Sequence, residues 1–242
     1  MLRCKEKTIL FVGPISSGKT TQRILLKTWL SNRTNKFVVS FAIPPFAFIT
    51  NTLLDLLRKT LSSGTNREVE KAESGSVAFF ERTNPKFLSK TMRLIVFFDA
   101  LQLLILTLSL KLLTKLGVLV LLEDYIPTST IEYELYLKLY RQTNIANFFL
   151  LSILMRILYA VSENSTICIY LHAHKKERLK RSLTRGYNLV DYSKPHDKIR
   201  ESMLYDAAKN FCKKTIYIDN SEMDIRSTFQ AILEQLKNEY SF

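Results

Sequence analysis

A short glycine-bounded segment near the amino terminus constrains the fold of this chain more than any other feature. Residues 13–20 read Gly-Pro-Ile-Ser-Ser-Gly-Lys-Thr, which matches the pattern G-x-x-x-x-G-K-[ST] of a phosphate-binding P-loop. An apolar, β-leaning run at 8–12 precedes it, and residues 19–30 have a helical pattern. A strand, a tight loop and a helix start create an anion site, because free backbone N–H groups converge where the helix dipole is positive. The segment therefore predicts nucleotide binding.

The residue types of this loop also predict individual roles. Lys19, which we expect to be exposed, would reach the β- and γ-phosphates of ATP, and the Thr20 hydroxyl would ligate Mg²⁺. ATP and Mg²⁺ are therefore the predicted cofactors. The other positions expected to line the phosphate site are Gly13, Pro14, Ile15, Ser16, Ser17, Gly18 and Thr21.

Short apolar segments alternate with helical stretches along the whole chain. Helices between strands imply a parallel sheet with right-handed crossovers. The pattern predicts an α/β, three-layer P-loop NTPase fold, in which helices flank a five-stranded parallel sheet, as a single domain over residues 1–242. Ser221 is the expected cap of the last helix. The strand candidates are rich in β-branched and aromatic residues and lie at 8–12, 37–41, 118–122, 166–171 and 215–218.

Charge and cysteine content bear on partners and compartment. The net charge of +13 over 242 residues suggests polyanionic ligands, such as nucleotides, nucleic acid or an anionic membrane. Much of this charge is local, because basic residues crowd between positions 172 and 185. Three widely separated cysteines argue for a reducing, cytoplasmic setting and against a disulfide framework or a zinc site.

A very apolar segment at 94–110 is nearly long enough to span a bilayer. It contains Asp99 and Gln102, which are costly in lipid, and its flanks follow the α/β pattern. We therefore expect the buried helix of a layered domain rather than a membrane span. Asp99 and Gln102 lie three residues apart on one helix face, where they either line a ligand pocket or hydrogen-bond neighbouring backbone.

The order of motifs resembles that of the thymidylate kinase family over nearly the whole chain. After the P-loop come an acidic strand end at Asp124, a basic helix that ends at Arg185-Gly186, and a terminal strand and helix. The family's Asp-Arg-Tyr motif, serine pair and later tyrosine match Asp124, Ser129-Thr130 and Tyr133. The resemblance implies a transferase: an ATP-dependent kinase of nucleotide metabolism that phosphorylates a nucleotide, most simply a nucleoside monophosphate, and that forms a homodimer.

The same resemblance implies roles for single residues. Asp124 would organise Mg²⁺ or the attacking group, with Glu123 as a competing candidate on the other face of the strand. Arg181 and Arg185 would close over the ATP phosphates as part of a flexible lid at about 172–195. A solvated basic helix, or one that binds nucleic acid, is the alternative interpretation of this segment. The expected substrate-binding residues are Asp99, Gln102 and Tyr133.

Three positions depart from the family where arginines would hold the acceptor monophosphate. They are occupied by Ala42, Ala100 and Tyr125, and Arg58 and Arg93 are candidates to replace the lost charge. The donor half of the predicted enzyme is complete, whereas the acceptor half is altered. Two classes of function follow. The chain is a kinase with an altered or different acceptor, or a nucleotide-binding protein without monophosphate kinase activity that serves as a regulatory or partner-binding module.

Overall fold

The described residues form one sheet of five parallel strands with helices on both faces, which confirms the predicted α/β fold class. The computed structural model describes residues 8–43, 85–139, 166–186 and 196–239, with the pairs 152–153, 156–157 and 159–160. The strands are β1 (Thr8–Val12), β2 (Val38–Ala42), β3 (Leu119–Glu123), β4 (Thr166–His172) and β5 (Lys214–Asp219). Their order in the sheet is β2-β3-β1-β4-β5, so that β1 lies at the centre.

Two apolar cores separate the sheet from its two helix layers. Successive side chains of a strand point to opposite faces. Leu10 and Val12 of β1 therefore join one core, while Ile9 and Phe11 join the other. In the described part of the chain the helices are α1 (Lys19–Arg33), α2 (Pro85–Lys115), α3 (Ile126–Leu139), α4 (Lys175–Thr184), α5 (His196–Phe211) and α6 (Ile225–Glu239).

The predicted strands all occur, with ends displaced by no more than one residue. The cap of α6 is different from the one we expected. Asp224, not Ser221, accepts a hydrogen bond from the backbone N–H of Ser227 through Oδ1 at 2.6 Å, which satisfies one free N–H of the first turn. Ser221 instead donates to Asp219 and accepts from the backbone N–H of His174. The cap therefore lies closer to the helix than the sequence suggested.

A disulfide joins β4 to the carboxyl end of α5. Cys168 and Cys212 are bonded, with their Cα atoms 5.8 Å apart, and both are buried in the core. The expectation from the sequence that the cysteines are unpaired is wrong. The two residues are 44 positions apart, and only the packing of α5 on the sheet brings their side chains together.

The apolar segment forms the carboxyl-terminal part of α2, which is buried on one face only. Phe97–Lys115 is long and apolar enough to cross a membrane by length and composition, with a mean hydropathy of 1.6 and 28% of the stretch buried. Its inner face, which includes Leu103 and Leu110, belongs to the core. The segment is therefore a core helix of the layered fold, as expected, but only one of its faces is buried. The outer face exposes the apolar side chains of Leu101, Ile105, Leu108 and Leu112.

Gly13, directly after β1, lies close to the backbone of the neighbouring strand β4. Its φ is +150°, and a Cβ atom built on it would lie 2.2 Å from the backbone carbonyl oxygen of Leu171 on β4. No side chain fits at that distance, so either the loop or β4 would have to move. The start of the P-loop is therefore packed directly against the neighbouring strand.

Gly13→Ala should destabilise the protein by about 1–3 kcal/mol or more, because the new methyl group meets backbone that cannot rotate away. Urea denaturation measures the change. Gly117→Ala is the matched control, since Gly117 also has a positive φ of 89° but has nothing within 4 Å of an added Cβ. It should lose only about 1 kcal/mol from backbone strain. Equal losses in the two variants would contradict the close packing at Gly13.

Candidate nucleotide-binding site

The loop from β1 to α1 has the backbone geometry of an anion site. It leaves the carboxyl end of the central strand, which is flanked by β3 and β4. Ser16 and Gly18 have positive φ angles of 60° and 96°, a geometry that turns successive backbone N–H groups toward one side. The Ser17 hydroxyl oxygen is buried and has no hydrogen-bond partner among the described residues. A bound phosphate would therefore meet backbone N–H donors of this loop.

Lys19 is folded back onto this loop. Its Nζ donates to the carbonyl oxygens of Gly13 at 2.9 Å and Pro14 at 3.2 Å, and lies 3.8 Å from Asp124 Oδ1. Only 7% of the residue is exposed, so the expectation of an exposed lysine is wrong. The ammonium group already lies at the phosphate site, where the loop carbonyls hold it.

The carboxylate of Glu123 connects the start of α1 to the end of β3. Its Oε1 accepts a hydrogen bond from Thr20 Oγ1 at 2.6 Å, and its Oε2 accepts one from Arg23 Nε at 3.1 Å. Arg23 also donates through Nη1 to Ser40 Oγ on β2. Glu123 and Arg23 are both buried. The hydroxyl that we expect to bind the metal ion is thus paired with Glu123 and not with Asp124.

The side chain of Asp124, like that of Glu123, points toward the P-loop. Its φ of 50° lies in the left-handed region, so the alternation of an extended strand ends at this residue. The two acidic side chains therefore lie on the same side, contrary to our expectation that they face apart. Thr128 Oγ1 donates to Asp124 at 3.0 Å. Burial raises the pKa of the Asp124 carboxyl; the charge of Lys19 opposes this increase and that of Glu123 adds to it.

The oxygen atoms at this point are of the kind that Mg²⁺ prefers. A hydroxyl from Thr20 and carboxylates from Glu123 and Asp124 lie beside the phosphate loop. Magnesium in such sites is held by one or two carboxylates together with substrate phosphates. Within the described ranges, no group of three or more His, Cys, Asp or Glu side chains forms a dedicated metal site. The donor set therefore fits a magnesium ion that arrives with ATP.

A cavity of about 550 Å³ opens beside the loop, a size typical of small-molecule sites. The start of α1, helix α4, the segment between β5 and α6 and the first turn of α6 line it. Helix α4 lies within the predicted lid, of which residues 187–195 fall outside the described part of the chain. The cationic side chains in the lining are Lys180, Arg181, Arg185 and Arg226.

A chain of hydrogen bonds links α4 to the P-loop. Arg181 donates to Asn220 twice, to Oδ1 at 3.2 Å and to the backbone carbonyl at 2.8 Å. Asn220 in turn donates through Nδ2 to the carbonyl oxygen of Ser17 at 2.8 Å. The predicted lid arginine is therefore held at the edge of the cavity by protein acceptors, while Arg185 is exposed at the end of α4.

Arg178 anchors α4 to the body of the fold. The residue is fully buried, and its Nε donates to the carbonyl oxygen of Ala173 at 2.9 Å. Its terminal nitrogens bind Asp197 at 2.8 and 3.2 Å and Glu201 at 3.2 Å. Glu201 also pairs with His172 Nδ1 at 2.5 Å. A buried guanidinium needs such compensation, so this part of the basic cluster is structural.

The acceptor side of the site is described only in part. Asp99 is fully buried on α2, and Gln102 on the same helix is partly buried. The side chain of Tyr133, which lies on α3, falls outside the described part of the chain, as do Arg58 and the side chain of Arg93.

The positions of the three missing arginines differ in their surroundings. Ala100 packs in the core, and Tyr125 is buried against Phe211 with its hydroxyl bonded to Thr107. Burial raises the pKa of Tyr125 to about 12. Ala42, at the end of β2, is exposed. An arginine at Ala100 or Tyr125 would bury its charge in an apolar layer, so these two positions are core positions in this protein.

Two residues that shape this site, Arg23 and Asn220, were not among those expected from the sequence. Arg23 follows Lys19 by one helical turn, which places both on one face of α1. Asn220 comes directly after β5, at the edge of the sheet where ligand-facing residues gather. Each position carries a local signal, but neither belongs to a recognised motif.

Comparison with known proteins supports the fold. No protein-family model matches the sequence, and no curated protein matches it. The structure of deoxyadenosine kinase from M. mycoides with bound dATP is similar, with a TM-score of 0.56 and 14% identity over 95% of this chain and 99% of that chain. Thymidylate kinase from Ehrlichia chaffeensis gives a TM-score of 0.52 and 18% identity over 95% of this chain and 97% of that chain. The likeness at these identities concerns the fold alone: this chain has the α/β fold of P-loop nucleoside and nucleotide kinases.

Proposed function

We propose that this protein is a P-loop phosphotransferase that moves the γ-phosphoryl group of ATP to a hydroxyl group of a nucleoside or nucleotide. The contact between Thr20 and Glu123 is the main observation in favour. It joins the threonine of the loop to an acidic strand end, as P-loop NTPases do where they hold Mg²⁺ beside the phosphates. A purely regulatory nucleotide-binding module is the rival, and the paired carboxylates at the loop argue against it.

The donor nucleotide would occupy the P-loop and the adjoining cavity. Lys19 and the loop N–H groups would bind the phosphates, and the cavity between α1 and α4 would take the base and ribose. Arg181 and Arg185 would move onto the phosphates from the cavity wall, because guanidinium groups bind phosphate oxygens in pairs. Mg²⁺, when bound, would neutralise phosphate charge, with Thr20 and Glu123 as its ligands from the protein.

The contacts of Glu123 favour a different alignment of the chain with the Asp-Arg-Tyr motif of the thymidylate kinase family. If the motif is shifted by one residue, Asp-Arg-Tyr falls on Glu123, Asp124 and Tyr125, and both the acid and the tyrosine then agree. Asp124 stands in place of the motif's arginine. We therefore propose Glu123, rather than Asp124, as the metal ligand.

This match supports an acceptor that has no phosphate group close to Asp124. A carboxylate repels an anion where an arginine would attract it. The deoxyadenosine kinase with this fold is named for a nucleoside substrate. We therefore propose a nucleoside as the acceptor of the phosphoryl group. A nucleoside monophosphate is the second candidate, because the order of motifs follows thymidylate kinase.

Asp124 would serve as proton acceptor in the transfer. The acceptor oxygen bonds to the γ-phosphorus, the bond to the ADP oxygen breaks, and the hydroxyl proton passes to the Asp124 carboxylate. Burial raises the pKa of the Asp124 carboxyl, which makes its carboxylate a better proton acceptor. Lys19, at 3.8 Å, would keep the carboxylate ionised before the transfer.

We also propose that the protein is a cytoplasmic homodimer. The exposed outer face of α2 repeats apolar residues at alternating spacings of four and three, the spacing of a helix–helix seam. ATP is found mainly inside cells, so an enzyme that uses it is expected in the cytoplasm. The Cys168–Cys212 disulfide is the observation against this location, since disulfides are rare there.

A screen of ADP release against common nucleosides and nucleoside monophosphates tests the proposal, with a no-acceptor reaction as its control. We expect turnover with at least one nucleoside. Thymidine monophosphate should be used at least about a hundredfold less efficiently, since each lost charge-assisted hydrogen bond to phosphate costs about 1.5–3 kcal/mol.

Two results would contradict parts of the proposal. Efficient, saturating turnover of thymidine monophosphate would mean that other cations replace the missing arginines. ATP binding without turnover on any acceptor would favour the regulatory module.

A further inference from the structure

We propose that Arg23 is a positioning residue: it holds the Glu123 carboxylate in the orientation in which the metal ion that accompanies ATP is bound. This inference rests on the proposed function and deepens it. Arg23 lies on α1, one turn after Lys19 and three residues after Thr20. It is therefore on the helix that carries the phosphate site, although it is not part of the P-loop.

Each oxygen of the Glu123 carboxylate has its own partner. Oε2 accepts from Arg23 Nε at 3.1 Å, and Oε1 accepts from Thr20 Oγ1 at 2.6 Å. The guanidinium is itself fixed at its far end by Ser40 of β2. Rotation of the carboxylate would break at least one of these bonds. Oε1 is therefore kept beside the threonine hydroxyl, where the proposed metal ligands converge.

The charges at the end of β3 are balanced in pairs. Arg23 lies against Glu123, with 9% and 10% of their side chains exposed, and Lys19 lies 3.8 Å from Asp124. Adjacent carboxylates repel each other, and each needs a cation at hand when solvent is largely excluded. Because Arg23 binds only Oε2 of Glu123, Oε1 stays with the Thr20 hydroxyl. An arginine suits this task better than a lysine, because its planar group binds two partners in a fixed geometry.

Two other roles are conceivable for Arg23, and they differ in how its loss would affect stability, ATP binding and the Mg²⁺ requirement. If Arg23 only ties α1 to β2 and β3, its loss lowers stability and leaves the metal requirement unchanged. If it contacts a phosphate group of ATP directly, its loss weakens ATP binding equally with and without metal. A positioning role alone predicts an effect that depends on Mg²⁺.

The test measures ATP binding to the full chain, by calorimetry, in EDTA and across a Mg²⁺ titration. Arg23→Ala should change metal-free ATP affinity by less than about threefold, while the half-saturating Mg²⁺ concentration rises about tenfold or more, as for other residues that orient metal ligands. Arg23→Lys should recover part of this loss, since it keeps the charge. Ser40→Ala is the matched control for the contact with β2 and should have the smallest effect. Binding of Mn²⁺ in the presence of a non-hydrolysable ATP analogue, followed by electron paramagnetic resonance, should give the same ranking.

A double variant makes the test specific. If Arg23 acts through Glu123, then Arg23→Ala should have no further effect on the Mg²⁺ requirement in a Glu123→Gln background. Additive effects would overturn the proposal, as would a folded Arg23→Ala protein with an unchanged Mg²⁺ titration. Should Arg23→Ala fail to fold, an unchanged titration of Arg23→Lys would overturn it. Absence of ATP binding by the unmodified protein would instead refute the proposed function, and this inference with it.

Discussion

Replacing Lys19 by alanine should weaken ATP binding by about a hundredfold or more, because each hydrogen bond from a charged group to phosphate contributes about 1.5–3 kcal/mol. Lys19 is buried at the loop, and its ammonium group donates to two carbonyl oxygens of the loop. The ammonium group therefore already lies beside the position that a phosphate would occupy. Displacement of a fluorescent ATP analogue measures the loss.

The matched control for this change is Lys27→Ala. Lys27 lies on the same helix and is exposed. Its replacement should leave ATP affinity unchanged, which separates a local effect from the loss of one positive charge. Thermal unfolding should be measured in parallel, because Asp124 loses its nearest cation in the Lys19 variant. ATP affinity within a few-fold of the unmodified protein, in a folded Lys19→Ala chain, would refute the P-loop assignment.

Glu123→Gln should reduce turnover by roughly two orders of magnitude or more and raise the Mg²⁺ requirement, because it keeps the shape of the side chain but removes the charge beside Thr20. Asp124→Asn should also reduce turnover by about a hundredfold, since it removes the proposed proton acceptor. It should leave ATP affinity and the Mg²⁺ requirement nearly unchanged. Steady-state kinetics on the best acceptor, at several Mg²⁺ concentrations, distinguish the two.

The comparison of the Mg²⁺ requirement between Glu123→Gln and Asp124→Asn identifies the metal ligand better than the turnover of either variant alone. A raised Mg²⁺ requirement in Asp124→Asn but not in Glu123→Gln would return the metal to Asp124, as the sequence first suggested. Glu123→Gln also leaves the buried Arg23 without its carboxylate, which can cost stability. Circular dichroism and thermal unfolding of both variants show whether a kinetic loss is local.

Much of the fold could be predicted from the sequence because its signals are local. Each strand is a short apolar run bounded by polar residues, and the P-loop specifies both the strand before it and the helix after it. The exposed face of α2 could not be predicted in this way. Because this helix is apolar nearly all round, its sequence has no polar stripe to indicate which side faces away from the sheet. The disulfide was missed because it depends on a contact between distant segments.

The candidate site could be predicted only in its donor half. The P-loop residues lie next to one another in the chain, and their relative geometry follows from a strand–loop–helix unit. The roles of Glu123 and Asp124 depend on a single backbone angle, the positive φ of Asp124, which reverses the expected direction of one side chain. No residue pattern reports that angle, because aspartate is usually extended at a strand end and adopts the left-handed conformation only occasionally.

The Cys168–Cys212 disulfide also closes a covalent loop around α4 and α5. For a separation of 44 residues, chain-entropy arguments give a restriction of the unfolded state worth about 4 kcal/mol. Arg178 and its partners Asp197 and Glu201 all lie inside this loop. Even in the unfolded chain they cannot diffuse far apart, so their effective concentration stays high and the ion pairs that anchor α4 reform from nearby positions.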